Sequence, residues 1–139
     1  MKKYGTAEWK GGLKDGTGLF STESGALENV QYGFNKRFEG EPGSNPEEVI
    51  GAAHASCFSM ALSKELGEAD ITADKISTRA DITLEKKDGG FAITKSHLTV
   101  TVEADGDKDD IKKAAESAKK NCPVSKLLNA EISMDLSIS

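Results

Sequence analysis

Two sulfurs, one arginine and one glutamate are the residues of this 139-residue chain whose types and spacing could do chemistry. Cys57 sits in NPEEVIGAAHASCFSMAL (45–62), which runs from Val49 to Leu62 without a charge and so places the sulfur in the driest part of the chain. Cys122 precedes Pro123 in NCPVSKLLNA (121–130). A chain of this length builds a core without disulfide staples. In a reducing compartment, two cysteines then point to catalysis, redox cycling or metal binding rather than to a permanent bridge.

Desolvation raises a thiol's pKa, so burial alone makes Cys57 an inert small hydrophobe. A nearby cation reverses this. Arg37, in NKRFEG just upstream, is the best-placed candidate, because a guanidinium stays charged when partly buried and can hold both a thiolate and a carboxylate. Cys122 has a different aid: a helix opened by Pro123 presents unpaired N–H groups and partial positive charge. Glu47 lies ten residues before Cys57, about 15 Å along a straight helix, and cannot act on the sulfur of its own helix. It either complements the helix dipole or meets Cys57 of a second subunit, with Arg37 bridging. A zinc alternative groups His54, which shares a helix face with Cys57, with Cys122 and His97, although the spacing lacks the paired local clusters of zinc modules. Otherwise His54 is a core or interface histidine bonded to backbone. No Gly-rich phosphate loop follows a strand and no Ser/His/Asp set is discernible; Ser56 and Ser59 read as small packing residues.

The elements that must position these groups follow from pattern. Residues 4–10 and 17–22, joined by GGLKDG, form a hairpin, and VQYGFNKRF (30–38) reads as a third strand before the loop EGEPGS. Asn45, Pro46 and Glu48 make a capping pattern for a helix of about 20 residues ending near Gly67. Apolar and small residues cover all its sides between Val49 and Leu62, so it should be enclosed and touched by a second helix. KISTRADITLE (75–85) alternates as a strand with one wet face. The turn KKDGG connects it to FAITKSHLTVTVE (91–103), whose apolar phase switches, which a bulge near Lys95 to His97 explains. DKDDIKKAAESAKK (107–120) carries acids in its first turn and lysines in its last, as the macrodipole favours, and should be mostly solvent-facing. A short helix starts at Pro123, and AEISMDLSI (130–138) is a final strand.

Composition narrows the partners. With 23 acidic against 18 basic residues and a net charge of -5, the chain lacks the footprint of a nucleic-acid or anionic-membrane binder. The start, MKKYGTAEWK, has no apolar targeting core, and the longest charge-free run is about six residues short of the roughly 20 that span a bilayer. The expectation is a cytoplasmic protein.

STESG (21–25), YGFNKRFEGEPGSNPEE (32–48), AHASCFSMAL (53–62), GFAITK (90–95) and CPVSKLLNAEI (122–132) together resemble the OsmC/Ohr peroxidase family, nearest its OsmC branch. The resemblance runs nearly end to end. It implies one domain over 1–139 with an α+β fold, in which antiparallel sheets wrap around central buried helices and two subunits intertwine as a homodimer with active sites at the interface. It also implies a thiol-dependent peroxidase for organic hydroperoxides. Cys57 would then be the peroxidatic nucleophile, Cys122 the resolving thiol, and Arg37 and Glu47 the pair that activates the thiolate and orients the peroxide. No metal or organic cofactor is implied, and regeneration falls to an external dithiol, lipoyl-type reductants being the family expectation. A non-enzymatic dimeric stress or binding protein and a Cys/His zinc protein are the competing readings.

Overall fold

The computed structural model describes all residues, Met1–Ser139, and the chain divides into two compact units, 1–49 and 50–139. In the first, β1 (Gly5–Lys10), β2 (Thr17–Thr22) and β3 (Val30–Tyr32) form an antiparallel sheet in that order. Gly18 is required here: a side chain would meet the Tyr32 ring at 2.5 Å and Trp9 at 2.8 Å, where these two aromatic rings pack across the sheet. β1 is exposed along its whole length.

The predicted strand over 30–38 ends at Tyr32. Residues Phe34–Phe38 instead form helix α1, with the Arg37 N–H donating to Gly33 O. The signal was present as the i, i+4 pair Phe34 and Phe38, whose rings lie 5.0 Å apart on one helix face. The chain then turns through Gly40 and Gly43, both at positive φ, conformations that glycine adopts without steric cost.

Helix α2 (Pro46–Glu68) starts as expected. Asn45 Oδ1 accepts from the Glu48 N–H at 2.8 Å, and the Asn45 side-chain amide donates to the Glu48 carboxylate at 3.0 Å. The helix runs through Gly67 to Glu68.

In the second unit, α2 buries one stripe, Gly51, His54, Phe58, Leu62 and Leu66, at the three- and four-residue spacing of a helix face. Ala52, Ala53, Ser56 and Met60 are exposed, so the enclosure expected on all sides is met on one side of the single chain. The small residue at 51 has a use: a Cβ there would lie 3.1 Å from Ala80 O of the underlying strand.

That strand, β4 (Ala73–Lys87), pairs antiparallel with β5 (Gly90–Ala104) through a tight turn whose Asp88 and Gly89 both have positive φ, the backbone that two-residue hairpins prefer. The bulge falls at Thr94, where pairing steps from Thr83–Lys95 to Leu84–Ile93. This is one residue before the expected segment, and it turns Ser96, Leu98, Val100 and Val102 inward. β6 (Glu131–Ile138) joins β5 in parallel, the one parallel pair in otherwise antiparallel sheets.

Between β5 and β6 lie α3 (Lys108–Asn121) and α4 (Pro123–Leu127). Asp107 caps α3, accepting from the N–H groups of Asp109 and Asp110. The helix is mostly solvent-facing, as expected, and its inner stripe of Ile111, Ala114, Ala115 and Ala118 completes the core with Phe58, Leu62, Leu98 and Val102. Its alanines pack against the core at helical spacing.

Candidate active site

Cys57 and Cys122 are 65 residues apart in sequence and meet in space. The Cys122 thiol points at Cys57 Sγ across 3.2 Å, and both sulfurs are free. Cys57 lies on α2; Cys122 ends α3 and is the N-cap of α4, as Pro123 foretold. Their burial reverses the sequence expectation: Cys122 is buried, with 1% exposure, while Cys57 is half-buried. The charge-free run fixes the helix but not which of its faces is dry.

Burial pushes the Cys57 thiol up from its ordinary value; the Val124 backbone N–H opposes this, and the Cys122 thiol adds to it. The N-terminal turn of α4 therefore helps the Cys57 thiolate but does not win, and a formal cation is needed to do so.

Arg37 and Glu47 are brought together within the first unit. Arg37 Nε lies 3.0 and 3.1 Å from the two Glu47 carboxylate oxygens and Nη2 lies 2.5 Å from Oε1, a fork-to-carboxylate pairing that fixes the guanidinium's direction. α1 delivers the arginine and the capped start of α2 delivers the glutamate. The Arg37 side chain keeps 36% exposure against 13% for Glu47, so one side of the cation stays open. The Phe38 ring lies 5.1 Å from the guanidinium carbon.

The zinc set is not assembled: nowhere do three His, Cys, Asp or Glu side chains form a group able to hold a metal ion. Both ring nitrogens of His54 are taken by hydroxyls, Nδ1 by Ser96 Oγ and Nε2 by Ser125 Oγ, each at 2.7 Å. The expected backbone bond is replaced by these two serines, and burial lowers the imidazole's pKa, keeping it neutral. A Ser/His/Asp grouping that sequence reading did not find also exists. His97 lies 2.6 Å from Ser133 Oγ and 3.0 Å from Asp135 Oδ2 because β5 and β6 pair in register. Asp135 is 80% exposed, so this is a surface tie between strands rather than a site.

A family model described as OsmC-like protein matches residues 38–137, a span that holds both cysteines and Glu47 and begins one residue after Arg37. The chain belongs to the OsmC-like family. Peroxiredoxin OsmC of Escherichia coli (strain K12) is 54% identical over 136 residues, covering 97% of this chain and 95% of its own. Organic hydroperoxide resistance protein OhrB of Bacillus subtilis (strain 168) is 28% identical over 123 residues, 87% of this chain and 88% of its own. The OsmC-like fold is shared with solved structures. An organic hydroperoxide resistance protein from Elizabethkingia anophelis superposes with a TM-score of 0.78 at 22% identity, covering 100% and 99% of the two chains. An OsmC-like protein from Mycoplasma pneumoniae gives 0.77 at 15%, covering 99% and 97%. No helix is long and apolar enough to cross a membrane.

Proposed function

We propose that this OsmC-like protein is a cysteine-based peroxidase that reduces organic hydroperoxides, and less efficiently hydrogen peroxide, to the alcohol or water. The observation that carries the reading is the Cys57–Cys122 approach at 3.2 Å between two free sulfurs. The names of its relatives, a peroxiredoxin and an organic hydroperoxide resistance protein, point the same way.

The Cys57 thiolate attacks the peroxide oxygen distal to the organic group; the O–O bond breaks, the alcohol leaves with a proton, and Cys57 becomes a sulfenic acid. The Cys122 thiol then displaces hydroxide as water, forming the Cys57–Cys122 disulfide. An external dithiol, lipoyl-type by family expectation, reduces this bond by exchange and is itself oxidised. The accessible sulfur for that attack is Cys57. Such a cycle belongs to a reducing compartment, the cytoplasm.

Arg37 is assigned the activation of the thiolate and the stabilisation of charge developing on the peroxide, with Glu47 holding its fork. One domain over 1–139 acts as a homodimer with active sites at the subunit interface. Two features favour the dimer: the exposed small-residue face of α2, where Met60 is 78% exposed, and β1, exposed throughout. Met60, one turn after Cys57, is the apolar side chain offered to an organic tail, whereas Phe58 is turned fully into the core.

The substrate class is tested by the ratio of kcat/KM values. Cumene or tert-butyl hydroperoxide should exceed hydrogen peroxide by about tenfold or more, the scale of one or two buried methylenes or a methyl-sized apolar contact. Equal efficiencies would contradict the apolar-site argument.

A further inference from the structure

Helix α4 follows directly on the buried Cys122, which is its N-cap and whose N–H donates to Ala118 O of α3, and the one apolar side chain of α4 packed against the core is the half-buried Val124. The helix has five residues and no side-chain cap, its Leu127 is 78% exposed, and Ser125 is its sole buried residue. A helix this short is not stable through its own hydrogen bonds and must be fixed by tertiary contacts. Ser125 is fixed by His54, which is fully buried and whose other ring nitrogen is tied to the equally buried Ser96 of β5. The contacts form two parallel rungs. His54 and Cys57 are three apart on α2, Ser125 and Cys122 are three apart at α4, and the pairs face each other at 2.7 and 3.2 Å.

We infer that His54 is a positioning residue for the resolving step: by bridging Ser96 and Ser125 it anchors α4 to α2 and β5 and holds Cys122 at closing distance from Cys57. The inference rests on the peroxidase reading above and adds to it the part that brings the second thiol to the first. From 3.2 Å, the sulfurs need to approach by only about 1 Å to reach a disulfide's bond length. That short approach holds as long as α4 stays docked. His54 is suited to a fixed strut rather than to proton transfer. A neutral imidazole offers one donor and one acceptor, each serine hydroxyl complements either, and no polar atom of the three is left unpaired. No charge then enters or leaves this dry layer while the sulfurs cycle.

The two serines make the inference testable without touching either sulfur. Ser125→Ala cuts the tie to α4 and leaves the ring on β5, whereas Ser96→Ala cuts the tie to the sheet and leaves the rung to α4. The intact protein and both variants are equilibrated in reduced and oxidised dithiothreitol at fixed poise, the disulfide fraction is read by acid quench, thiol alkylation and intact mass, and thermal unfolding of the reduced proteins is measured alongside. The expected result for Ser125→Ala is a disulfide-to-dithiol ratio lower by about tenfold, or about 30 mV in the pair's potential. Ser96→Ala should shift it by less than about threefold at a similar loss of Tm, and Ser125→Thr, which keeps the hydroxyl, should stay close to the parent. Ratios that are unchanged, or that fall equally in the two alanine variants in step with Tm, would overturn the strut. The equilibration uses no hydroperoxide. A parent protein inert to cumene hydroperoxide would therefore sink the peroxidase reading, while the serine comparison would still decide whether His54 positions the pair.

Discussion

Cys57→Ser should lose at least about a thousandfold in kcat/KM with cumene hydroperoxide, the scale seen when a nucleophile is removed from a catalytic set. A serine hydroxyl does not ionise near neutral pH and has no base beside it here, so the remaining groups have nothing to activate. Cys122→Ser should behave differently. Its Cys57 still attacks, and consumes, one equivalent of hydroperoxide per chain, and then the cycle stops, because no second thiol stands 3.2 Å away. Intact mass should show one added oxygen after one equivalent and a second under excess oxidant, as sulfenic passes to sulfinic acid. Stopped-flow consumption of the first equivalent separates this from a non-enzymatic packing role, in which both cysteine variants would match the parent.

Arg37→Met is expected to have the second-largest effect, and its pH dependence carries the argument. Burial and the neighbouring Cys122 thiol hold the Cys57 pKa above its ordinary value, so without an added cation the reactive thiolate is scarce at neutral pH. Removing one preorganised group that stabilises transition-state charge costs about 100-fold or more. Part of that loss should be recovered by alkali. The thiol's pKa is raised, so thiolate appears as pH climbs through and beyond the ordinary thiol range, and the variant's kcat/KM should keep rising from about pH 7 to about pH 10. With Arg37 in its proposed role, the parent should level off at lower pH. Arg37→Lys keeps the charge but loses the fork to Glu47, so it should fall between the two. An Arg37→Met profile that parallels the parent's at every pH would remove the arginine from thiolate activation.

What sequence could reveal here was set by how local each signal was. The caps at Asn45 and Glu48, the Cys122–Pro123 helix start and the β4 alternation are short-range devices, and each stands where it was read. The two cysteines, Arg37 and Glu47 were likewise visible as residues, because their chemistry is carried by residue type. The strand expected over 30–38 holds only to Tyr32, because the i, i+4 pair of Phe34 and Phe38 favours a helical turn beyond it. The relative burial of the two sulfurs was not legible, since α2 is apolar on most sides and only its packing decides which face is wet. Least legible was the His54 bridge. Its partners lie 42 and 71 residues away, and a buried serine on β5 carries no local mark of the histidine it serves.

The central claim is that a hydroperoxide oxidises Cys57 and that Cys122 closes on it within one chain. The direct measurement is the intact mass and free-thiol count of the reduced protein after one equivalent of cumene hydroperoxide, beside an untreated control. The expected result is the loss of two hydrogens and of both thiols, with Cys57 and Cys122 joined in a single linked peptide pair. Two thiols that persist after the hydroperoxide has been added would contradict it.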